Sequence, residues 1–334
     1  MIIPTSRQRT GQLLLRALMA SSNLKHSSAT GKDAAKVEEK PQVWLKQLHE
    51  CMPSLTASLH KGQSGRIGIV GGCDEYTGAP YYSSMTALRC GADLVHIFCT
   101  PSAAPVLKSY GPEAIVHGIL KGGSVEKEAR EWLSRLHCLV LGPGMGRDPE
   151  VLESAVSIVK TAKDLSLPLV VDADGLWLAL KHPHLMASWP NGKIVFTPNV
   201  MEFSRLASMF EVETVEELAK SFSGTVLLKG KIDYIASPKG GVIVCGTGGS
   251  GRRCGGQGDV LSGALGVFLN WACQWEHSEN SAPFGDPTLL AAYGACRLVR
   301  ECNMLSFQKN KRSTLTMDML SEIHHSFAIL FEGE

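Results

Sequence analysis

A dense run of glycines followed by an aspartate is the part of this chain whose residue types could carry out chemistry. Seven glycines lie between positions 246 and 258, namely Gly246, Gly248, Gly249, Gly251, Gly255, Gly256 and Gly258. Because glycine tolerates positive φ, the run can turn successive backbone N–H groups toward one point, where an anion sits without meeting a Cβ. The run therefore predicts a phosphate-binding loop.

An apolar segment, residues 260–269, follows the glycines and predicts a helix whose free N–H groups face that anion. Asp259 lies at the junction and has two interpretations: it caps the helix, or it is a general base beside a phosphoryl group. Capping needs only one polar residue. The glycine density costs backbone entropy that close approach of a ligand explains, so it favours the base.

Short apolar segments upstream predict the elements that position this loop. Residues 66–72 read as a strand ending in glycines, and a helix is expected from Asp74-Glu75-Tyr76-Thr77-Gly78-Ala79-Pro80 through Cys90. Residues 94–100 and 138–141 are the next predicted strands, with a helix at 125–136 between them. This alternation predicts an α/β fold, in which ligands sit beyond the carboxyl ends of the strands.

Polar or glycine-rich residues follow several of the predicted strands. Residues 142–147, Gly-Pro-Gly-Met-Gly-Arg, are either a bare loop or a binding loop at that edge. Asp172 and Asp174 end the strand at 167–171, and period two places both on one side. They could hold a hydrated Mg²⁺, or Asp174 could cap a helix at 175–180.

Two further segments carry polar residues whose pattern is compatible with a structural role and also with a functional role. Asn199 and Glu202, after the strand at 193–197, match an N-cap and a capping box. Residues 225–233 form a strand that closes on Lys-Gly-x-x-Asp, and a hairpin is expected around Pro238-Lys239-Gly240. Residues 276–287 read as a loop, and closing helices are predicted at 289–302 and 315–331.

The sequence Cys254-Gly255-Gly256-Gln257-Gly258-Asp259, followed by Leu261-Ser262-Gly263, resembles the Gly-Gly-x-Gly-Asp signature of ribokinase-like enzymes. Within that superfamily it is most similar to the ATP-dependent NAD(P)H-hydrate dehydratases. The chain has no Walker-type Gly-x-x-x-x-Gly-Lys-Ser/Thr sequence. The resemblance covers residues 61–331 and implies a three-layer α/β/α fold with a central, mostly parallel sheet.

The resemblance also implies two binding sites that meet at Asp259, the catalytic base. The segments implied for ATP are Lys229, Gly230, Lys231, Ile232 and Asp233, together with Gly249, Ser250, Gly251, Arg252, Arg253, Cys254, Gly255, Gly256, Gln257 and Gly258. Those implied for the hydrated nicotinamide are Gly78, Ala79, Gly144, Gly146, Asp172, Asn199, Val200, Met201, Glu202, Phe203, Ser204, Arg205 and Asp259. Glu202 is further expected to orient water on Mg²⁺.

The activity implied is the ATP-dependent conversion of hydrated NADH and NADPH, (6S)-NADHX and (6S)-NADPHX, to the normal cofactors. From the residues alone the inference extends only to phosphoryl transfer onto a small hydroxyl compound. A ribokinase-like kinase of a vitamin or sugar would use the same loop and base. A nucleotide-binding regulator without turnover is the third hypothesis, and the acid at 259 argues against it.

Composition indicates a globular chain whose partners are small molecules. The 334 residues are 44% hydrophobic and 19% charged with a net charge of +1, so no overall field draws nucleic acid or an anionic membrane. No apolar stretch approaches the roughly 20 residues of a membrane span. Ten scattered cysteines lack Cys-x-x-Cys spacing, which indicates neither a disulfide framework nor a zinc site. The composition is compatible with a homo-oligomer.

The N-terminal segment differs from the rest of the chain. Residues 1–32 contain five Lys or Arg residues, no acidic residue and an apolar patch at 13–19, which is typical of a mitochondrial or plastid transit peptide. A disordered tail on a cytoplasmic protein is the alternative. The expected domains are therefore a transit-like or disordered segment, 1–45, and a ribokinase-like domain, 46–334.

Overall fold

A nine-stranded sheet forms the centre of the protein. The structure, a computed structural model, describes residues 41–57, 60–121, 125–276 and 286–333. The transit-like residues 1–40 and most of the expected loop at 276–287 lie outside them. The strands are β1 Arg66–Val70, β2 Leu94–Cys99, β3 Ile115–Gly118, β4 Cys138–Leu141, β5 Leu169–Val171, β6 Ile194–Phe196, β7 Thr225–Leu228, β8 Asp233–Ala236 and β9 Val242–Cys245.

The sheet is mostly parallel, as the sequence predicts. Its strand order is β3-β2-β1-β4-β5-β6-β7-β8-β9, and β1 to β7 pair in parallel. Strands β8 and β9 are antiparallel, which confirms the hairpin around residues 238–240. The chain order reverses between β1 and β4, and ligands of open α/β sheets bind at such a switch point.

Helices cover both faces of the sheet. They are α1 Pro41–Glu50, α2 Gly78–Arg89, α3 Ala103–Tyr110, α4 Val125–Leu133, α5 Pro149–Asp164, α6 Asp174–Lys181, α7 Pro183–Met186, α8 Val200–Phe210, α9 Val215–Phe222, α10 Gln257–Glu276, α11 Pro287–Asn310, α12 Thr316–Ser321 and α13 Ile323–Phe327.

Two hydrophobic clusters, one on each face, produce the three layers. Helices α1, α2, α3, α10 and α11 pack on the face that carries Ile97 and Val140. Helices α4 to α9 pack on the face that carries Phe98 and Leu141. Because successive side chains of a strand point to opposite faces, neighbouring residues of one strand enter different clusters. The expected α/β/α architecture is thus confirmed.

Helix α10 is the most deeply buried helix, and small residues let it approach its neighbours. Every residue from 260 to 273 is buried. A Cβ built on Gly263 would lie 2.2 Å from the Ser83 carbonyl oxygen of α2, so only glycine permits this helix contact. The contact fixes where the first turn of α10 meets the sheet edge.

Two sequence predictions about elements are wrong. The predicted order missed α3 and β3 between residues 100 and 125, because β3 is a four-residue edge strand whose Ile115 is 38% exposed and whose pattern is not continuously apolar. The single closing helix expected at 315–331 is broken. It consists of α12, α13 and a π-helical turn at Ala328–Glu332.

Helix α1 precedes the first strand and is part of the core. Leu48 is fully buried, and its Cδ2 would lie 2.1 Å from a Cβ on Gly294 of α11. Trp44, 8% exposed, packs beside Tyr293 with ring centroids 6.2 Å apart. The expected domain boundary at residue 45 falls inside this helix. In the part of the chain that the structure describes, no helix is long and apolar enough to span a bilayer.

We predict that Leu48→Ala lowers the free energy of unfolding by about 2–5 kcal/mol, because it leaves a cavity against α11. Val43→Ala is the matched control on the same helix, since Val43 is 44% exposed; its effect should stay within about 0.5 kcal/mol. Urea denaturation measures both. Equal stabilities for the two variants would show that α1 does not belong to the cooperative core.

Candidate active site

Buried polar groups converge where β5, β6 and β7 end. Asp172 follows β5, Thr197 follows β6 and Lys229 follows β7. The Asp172 Oδ1 accepts hydrogen bonds from Lys229 Nζ at 2.6 Å and from Thr197 Oγ1 at 2.7 Å. The Lys229 side chain is 20% exposed and that of Asp172 is 2% exposed. This ion pair is therefore largely withdrawn from water.

The start of α10 lies directly above this ion pair. A Cβ built on Gly258 would be 3.5 Å from Lys229 Nζ and 3.8 Å from Asp172 Oδ2. The first N–H groups of a helix lack intrahelical partners, and they add positive potential at this point. The edge thus combines an ammonium group with a helix N-terminus, the two features that bind phosphate best.

Asp259 is the third residue of α10 and lies within the first turn of the helix. The helix begins at Gln257, and the Val260 N–H donates to the Gly256 carbonyl oxygen at 3.1 Å. Among the described residues the Asp259 carboxylate makes no hydrogen bond, so it does not cap the helix. The capping interpretation is wrong.

The environment of Asp259 suits a group that must take up a proton. Burial, followed by repulsion from the Asp172 carboxylate, raises the pKa of Asp259 to about 7, although attraction to Lys229 opposes the shift. A general base works best when its pKa lies near the operating pH. The pKa of Lys229 is raised because Asp172 and Glu202 outweigh the effect of its burial. Lys229 is thus cationic at neutral pH.

The glycine loop is less uniform than expected. Only Gly248, Gly249 and Gly256 of its seven glycines have positive φ, so the expectation that the whole run uses left-handed backbone is wrong. Gly251 and Gly255 instead have nothing within 4 Å of a built Cβ. These positions border open space, which leaves the backbone accessible to a ligand.

Arg300 of α11 ties the glycine loop to the Lys-Gly-x-x-Asp segment. Its Nε donates to Asp233 Oδ2 at 2.8 Å, and its side chain also donates to the Lys231 carbonyl oxygen at 3.0 Å. Its own carbonyl oxygen accepts from the Gly249 N–H at 2.9 Å. From the loop, Arg253 donates to the Gly230 carbonyl oxygen at 3.1 Å. The two segments assigned to ATP in the sequence are therefore brought together.

Two more side chains outside the loop hold its conformation. Asn303 Oδ1 accepts from both the backbone N–H and the hydroxyl of Ser250, each at 2.7 Å. The Thr316 hydroxyl donates to the Gly255 carbonyl oxygen. Sequence analysis missed Arg300, Asn303, Thr316 and Thr197. The available signal for the first two was the presence of several polar residues within the predicted closing helix, where Arg300 and Asn303 are buried.

The other glycine-rich loops meet at the switch point between β1 and β4. The Gly72 N–H donates to the Gly144 carbonyl oxygen at 3.0 Å. Gly144 has φ +59°, and a Cβ there would be 2.6 Å from the Tyr76 carbonyl oxygen and 3.1 Å from the Ala79 Cβ. Gly78 begins α2. Gly78, Ala79 and Gly144, three of the residues expected to contact the nicotinamide, thus lie together at the switch point.

The side chains of the two aspartates after β5 do not lie on the same side of the strand end, contrary to expectation. Ala173 between them has φ +46° and ψ −118°, which breaks the extended alternation. Asp174 is the first residue of α6, but it accepts hydrogen bonds from the Gly146 N–H at 3.0 Å and from Arg147 Nε at 2.9 Å instead of capping its own helix. Of the two aspartates, Asp172 therefore contacts Lys229 and Thr197, whereas Asp174 contacts the loop that follows β4.

The capping box expected at α8 is confirmed. Asn199 Oδ1 accepts from the N–H groups of Met201 and Glu202, and Glu202 Oε2 accepts from the Asn199 N–H at 2.8 Å. Burial raises the pKa of Glu202, although Lys229 opposes the shift. Met201 is 52% exposed, whereas Phe203 is buried in a hydrophobic cluster. Val200 begins the helix, Ser204 is buried and Arg205 is exposed.

The residues present suit a metal ion that is held mainly by its own ligands. In the described parts of the chain no three His, Cys, Asp or Glu side chains gather as a metal cage. Asp172 is already engaged by Lys229 and Thr197. Mg²⁺ commonly keeps several waters and binds through one or two carboxylates plus substrate phosphates, and the partly engaged Glu202 carboxylate fits a contact through water.

The sheet, the switch point and the helix N-terminus above a buried acid define a ribokinase-like α/β protein. Solved structures share this fold: a ribokinase-like superfamily protein of Enterococcus faecalis matches at TM-score 0.69 and 22% identity, covering 91% of this chain and 99% of that one. A Bacillus subtilis ADP/ATP-dependent NAD(P)H-hydrate dehydratase matches at TM-score 0.65 and 22% identity, covering 86% and 97%.

Sequence comparison identifies the family within this fold. The profile of the NAD(P)H-hydrate dehydratase family matches residues 67–325. Two proteins named ATP-dependent (S)-NAD(P)H-hydrate dehydratase are similar to this chain along most of their length. The Danio rerio protein is 46% identical, and the match covers 84% of this chain and 87% of that protein. The Homo sapiens protein is 45% identical, and the match covers 86% of this chain and 84% of that protein. The chain belongs to the NAD(P)H-hydrate dehydratase family.

We predict that Lys229→Met destabilises the protein by about 3 kcal/mol, because it leaves the Asp172 carboxylate buried without its counter-charge. Adding Asp172→Asn removes that charge while an oxygen can still accept from Thr197, so the double variant should regain at least half of the loss. Chemical denaturation at pH 7 measures the three proteins. A double variant no more stable than Lys229→Met would contradict the ion-pair assignment.

Proposed function

We propose that this protein catalyses the ATP-dependent dehydration of (6S)-NADHX and (6S)-NADPHX to NADH and NADPH. The family membership and the curated relatives support the substrate. The observation that carries the proposal is the position of Asp259, a partly buried carboxylate without a hydrogen-bond partner among the described residues. It lies in the first turn of α10, beside Lys229, and its pKa is close to neutral.

The reaction proceeds in two stages at this edge. Asp259 takes the proton of the ring hydroxyl while that oxygen attacks the γ-phosphorus of ATP, and ADP leaves with the electrons of the broken P–O bond. Phosphate then departs from the ring with the C–O electrons. Loss of a proton from the neighbouring ring carbon forms the C=C bond of the reduced nicotinamide. The products are the normal cofactor, ADP and phosphate.

The chain's own groups stabilise the charge that moves during phosphoryl transfer. Positioning and electrostatic stabilisation account for most of such catalysis. The first N–H groups of α10 and the Lys229 ammonium face the transferring phosphoryl, while the glycine loop and Arg253 hold the nucleotide. Arg300 fixes the distance between the segments that contact it. Gly78, Ala79, Gly144 and residues 199–205 form the opposite, nicotinamide-binding side.

Mg²⁺ would be carried by the ATP phosphates and by water held on Glu202. When bound, it neutralises part of the phosphate charge. The domain that performs this chemistry includes helix α1, Pro41–Glu50, and therefore starts earlier than the expected residue 46. We propose that the segment before it directs the protein to the mitochondrion, because the first 32 residues are basic and lack acidic residues. The alternatives are the cytoplasm and plastids.

One assay separates the dehydratase from the kinase alternative. The protein is incubated with hydrated NADH, ATP and Mg²⁺, and the absorbance of the reduced nicotinamide ring is followed. We expect the absorbance to rise with one ADP formed per nicotinamide restored. Parallel reactions contain pyridoxal, hydroxymethylpyrimidine or a sugar. A stable phosphate ester in one of these, with no action on hydrated NADH, would make the protein a kinase.

The role of Asp259 is tested by Asp259→Asn. Asparagine has nearly the same shape but cannot accept the proton, and a positioned general base contributes about 10²- to 10⁴-fold to the rate. We expect kcat to fall by that range while the KM for ATP changes little, because the glycine loop, which Arg300 holds in place, still binds the nucleotide. Activity within a factor of about three of wild type would exclude Asp259 as the base.

The same substitution has a pH-dependent effect on stability. Asp259 has a folded-state pKa of about 7, above the ordinary value of 3.8, so between these values the folded state retains a proton that the unfolded state has lost. Wild-type stability therefore falls, through this group, as the pH rises from about 4 to 7. We predict that the melting temperature of Asp259→Asn relative to wild type increases from pH 5 to pH 7.5. A difference that does not change with pH would mean that the Asp259 pKa is not raised.

A further inference from the structure

The aromatic ring of Tyr82 lies between the two binding segments of the proposed site. Tyr82 follows Gly78 by four residues, so both lie on one face of α2. A Cβ built on Gly78 would be 3.6 Å from Tyr82 Cε2, and a Cβ built on Gly256 would be 2.8 Å from Tyr82 Cδ2. Gly78 belongs to the segment assigned to the nicotinamide, and Gly256 belongs to the loop assigned to ATP. One ring therefore adjoins both segments.

The ring packs against the residue from which α10 starts. Gly256 directly precedes this helix and has φ +95°, and its carbonyl oxygen accepts from the Val260 N–H at 3.1 Å. Thr316 also borders Gly256, since its Oγ1 would be 2.9 Å from the same built Cβ. Gly256 is thus enclosed by Tyr82 and Thr316, and this enclosure fixes the first turn of α10, to which Asp259 belongs.

Hydrogen bonds beside the ring connect α2 to the backbone of Asp259. The hydroxyl oxygen of Ser83, the residue after Tyr82, is 3.3 Å from that of Ser262. The Ser262 hydroxyl donates to the Asp259 carbonyl oxygen at 3.1 Å. Burial raises the pKa of Tyr82, and the charge of the Asp259 carboxylate is the next cause. The ring is therefore close to the carboxylate of the proposed base.

The other surroundings of Asp259 are charged or open. Asp172 and Lys229 are the charged groups that act on its carboxylate, and a Cβ built on Gly255 would have no neighbour within 4 Å. Burial is the largest cause of the raised Asp259 pKa of about 7. A half-buried aromatic ring from α2 can supply such cover. Among the described residues the Tyr82 hydroxyl makes no hydrogen bond, so the ring is the part that packs.

We propose that Tyr82 is a positioning residue of the reaction, whose ring holds the turn at Gly256 and keeps water from Asp259 on the side of α2. The inference rests on the proposed function. Without the ring, water solvates the Asp259 carboxylate and favours its charged form, so the proton affinity of the base falls toward that of an ordinary aspartate. Tyr82 thus sets the pH range in which the base works.

The pH dependence of kcat/KM for hydrated NADH tests the inference, because it reports the pKa of the base in the free enzyme. With an Asp259 pKa of about 7, wild type should lose about tenfold in kcat/KM from pH 8 to pH 6. In Tyr82→Ala the hydrated carboxylate should have a pKa of about 6 or lower, and the loss should be about twofold or less. Tyr82→Phe keeps the ring and should behave like wild type.

A second measurement needs no turnover. The melting temperature of Asp259→Asn relative to its parent changes with pH only as far as the folded-state pKa of Asp259 is raised. In the wild-type background this difference increases from pH 5 to pH 7.5, as derived above. In the Tyr82→Ala background the increase should be about half as large or smaller, because a lower pKa narrows the pH range in which the folded state retains the extra proton.

Tyr81→Ala is the matched control. Tyr81 is the adjacent, half-buried tyrosine of α2, and its ring packs against Tyr110 with centroids 5.2 Å apart. This variant should keep the wild-type pH dependence in both measurements. Melting temperatures verify that the variants fold. If Tyr82→Ala does not fold, Tyr82→Leu takes its place, and its pH dependence should shift in the same direction.

An unchanged pH dependence of Tyr82→Ala in either measurement would overturn the inference. An equal shift in Tyr81→Ala would indicate general loosening of α2 and would overturn it too. Tyr82→Phe behaving like Tyr82→Ala would assign the effect to the hydroxyl and so exclude the ring. Absence of dehydratase activity in wild type would instead reject the proposed function, and the melting temperatures would still decide whether the ring covers Asp259.

Discussion

The burial of two carboxylates with a single ammonium group beneath a helix N-terminus is the constraint on which the rest of the structure depends. Asp172, Asp259 and Lys229 together carry one surplus negative charge at an edge shielded from water. The structure can accommodate it in two ways: by the positive end of α10 and by a proton on Asp259, whose pKa is accordingly near neutral. The same imbalance that costs stability thus raises the proton affinity of Asp259, which the proposed base requires.

Close packing of the backbone holds these charged groups at fixed positions relative to one another. Gly263 lets α10 contact α2 at a distance that no side chain would allow, and Gly258 brings the first turn within van der Waals reach of Lys229 and Asp172. Since protein interiors are close-packed, a methyl group added at Gly263 would displace α10, and Asp259 would move with the helix. Arg300 performs a corresponding task for the two segments proposed to bind the nucleotide: its side chain holds the Lys-Gly-x-x-Asp segment, and its backbone carbonyl oxygen holds the glycine loop at Gly249.

The sequence predicts much of this arrangement wherever local rules decide it. The capping box at Asn199, the β8–β9 hairpin and the loop before α10 all follow from residue types at fixed spacing. The edge strand β3 could not be predicted, since its pairing with β2 is a tertiary contact rather than a periodic pattern. The Asp259 cap was wrong by three positions, because the helix starts at Gln257 and its N-cap position is Gly256. Arg300 is more than 40 residues from the loop it holds, and spacing carries no information at that range.

Ala173, whose side chain does no chemistry, separates the two carboxylates that follow β5. Its positive φ is rare for a residue with a Cβ and costs of order 1–3 kcal/mol, and strain of this kind persists where surrounding contacts demand it. Here it turns the chain between two carboxylates, so that Asp172 meets Lys229 while Asp174 holds Arg147 over Trp177. An extended backbone would direct both acids to one side, adding a second negative charge beside Asp259 and leaving Arg147 without its anchor. The strained backbone at one residue therefore gives the two carboxylates different partners, Lys229 for Asp172 and Arg147 for Asp174.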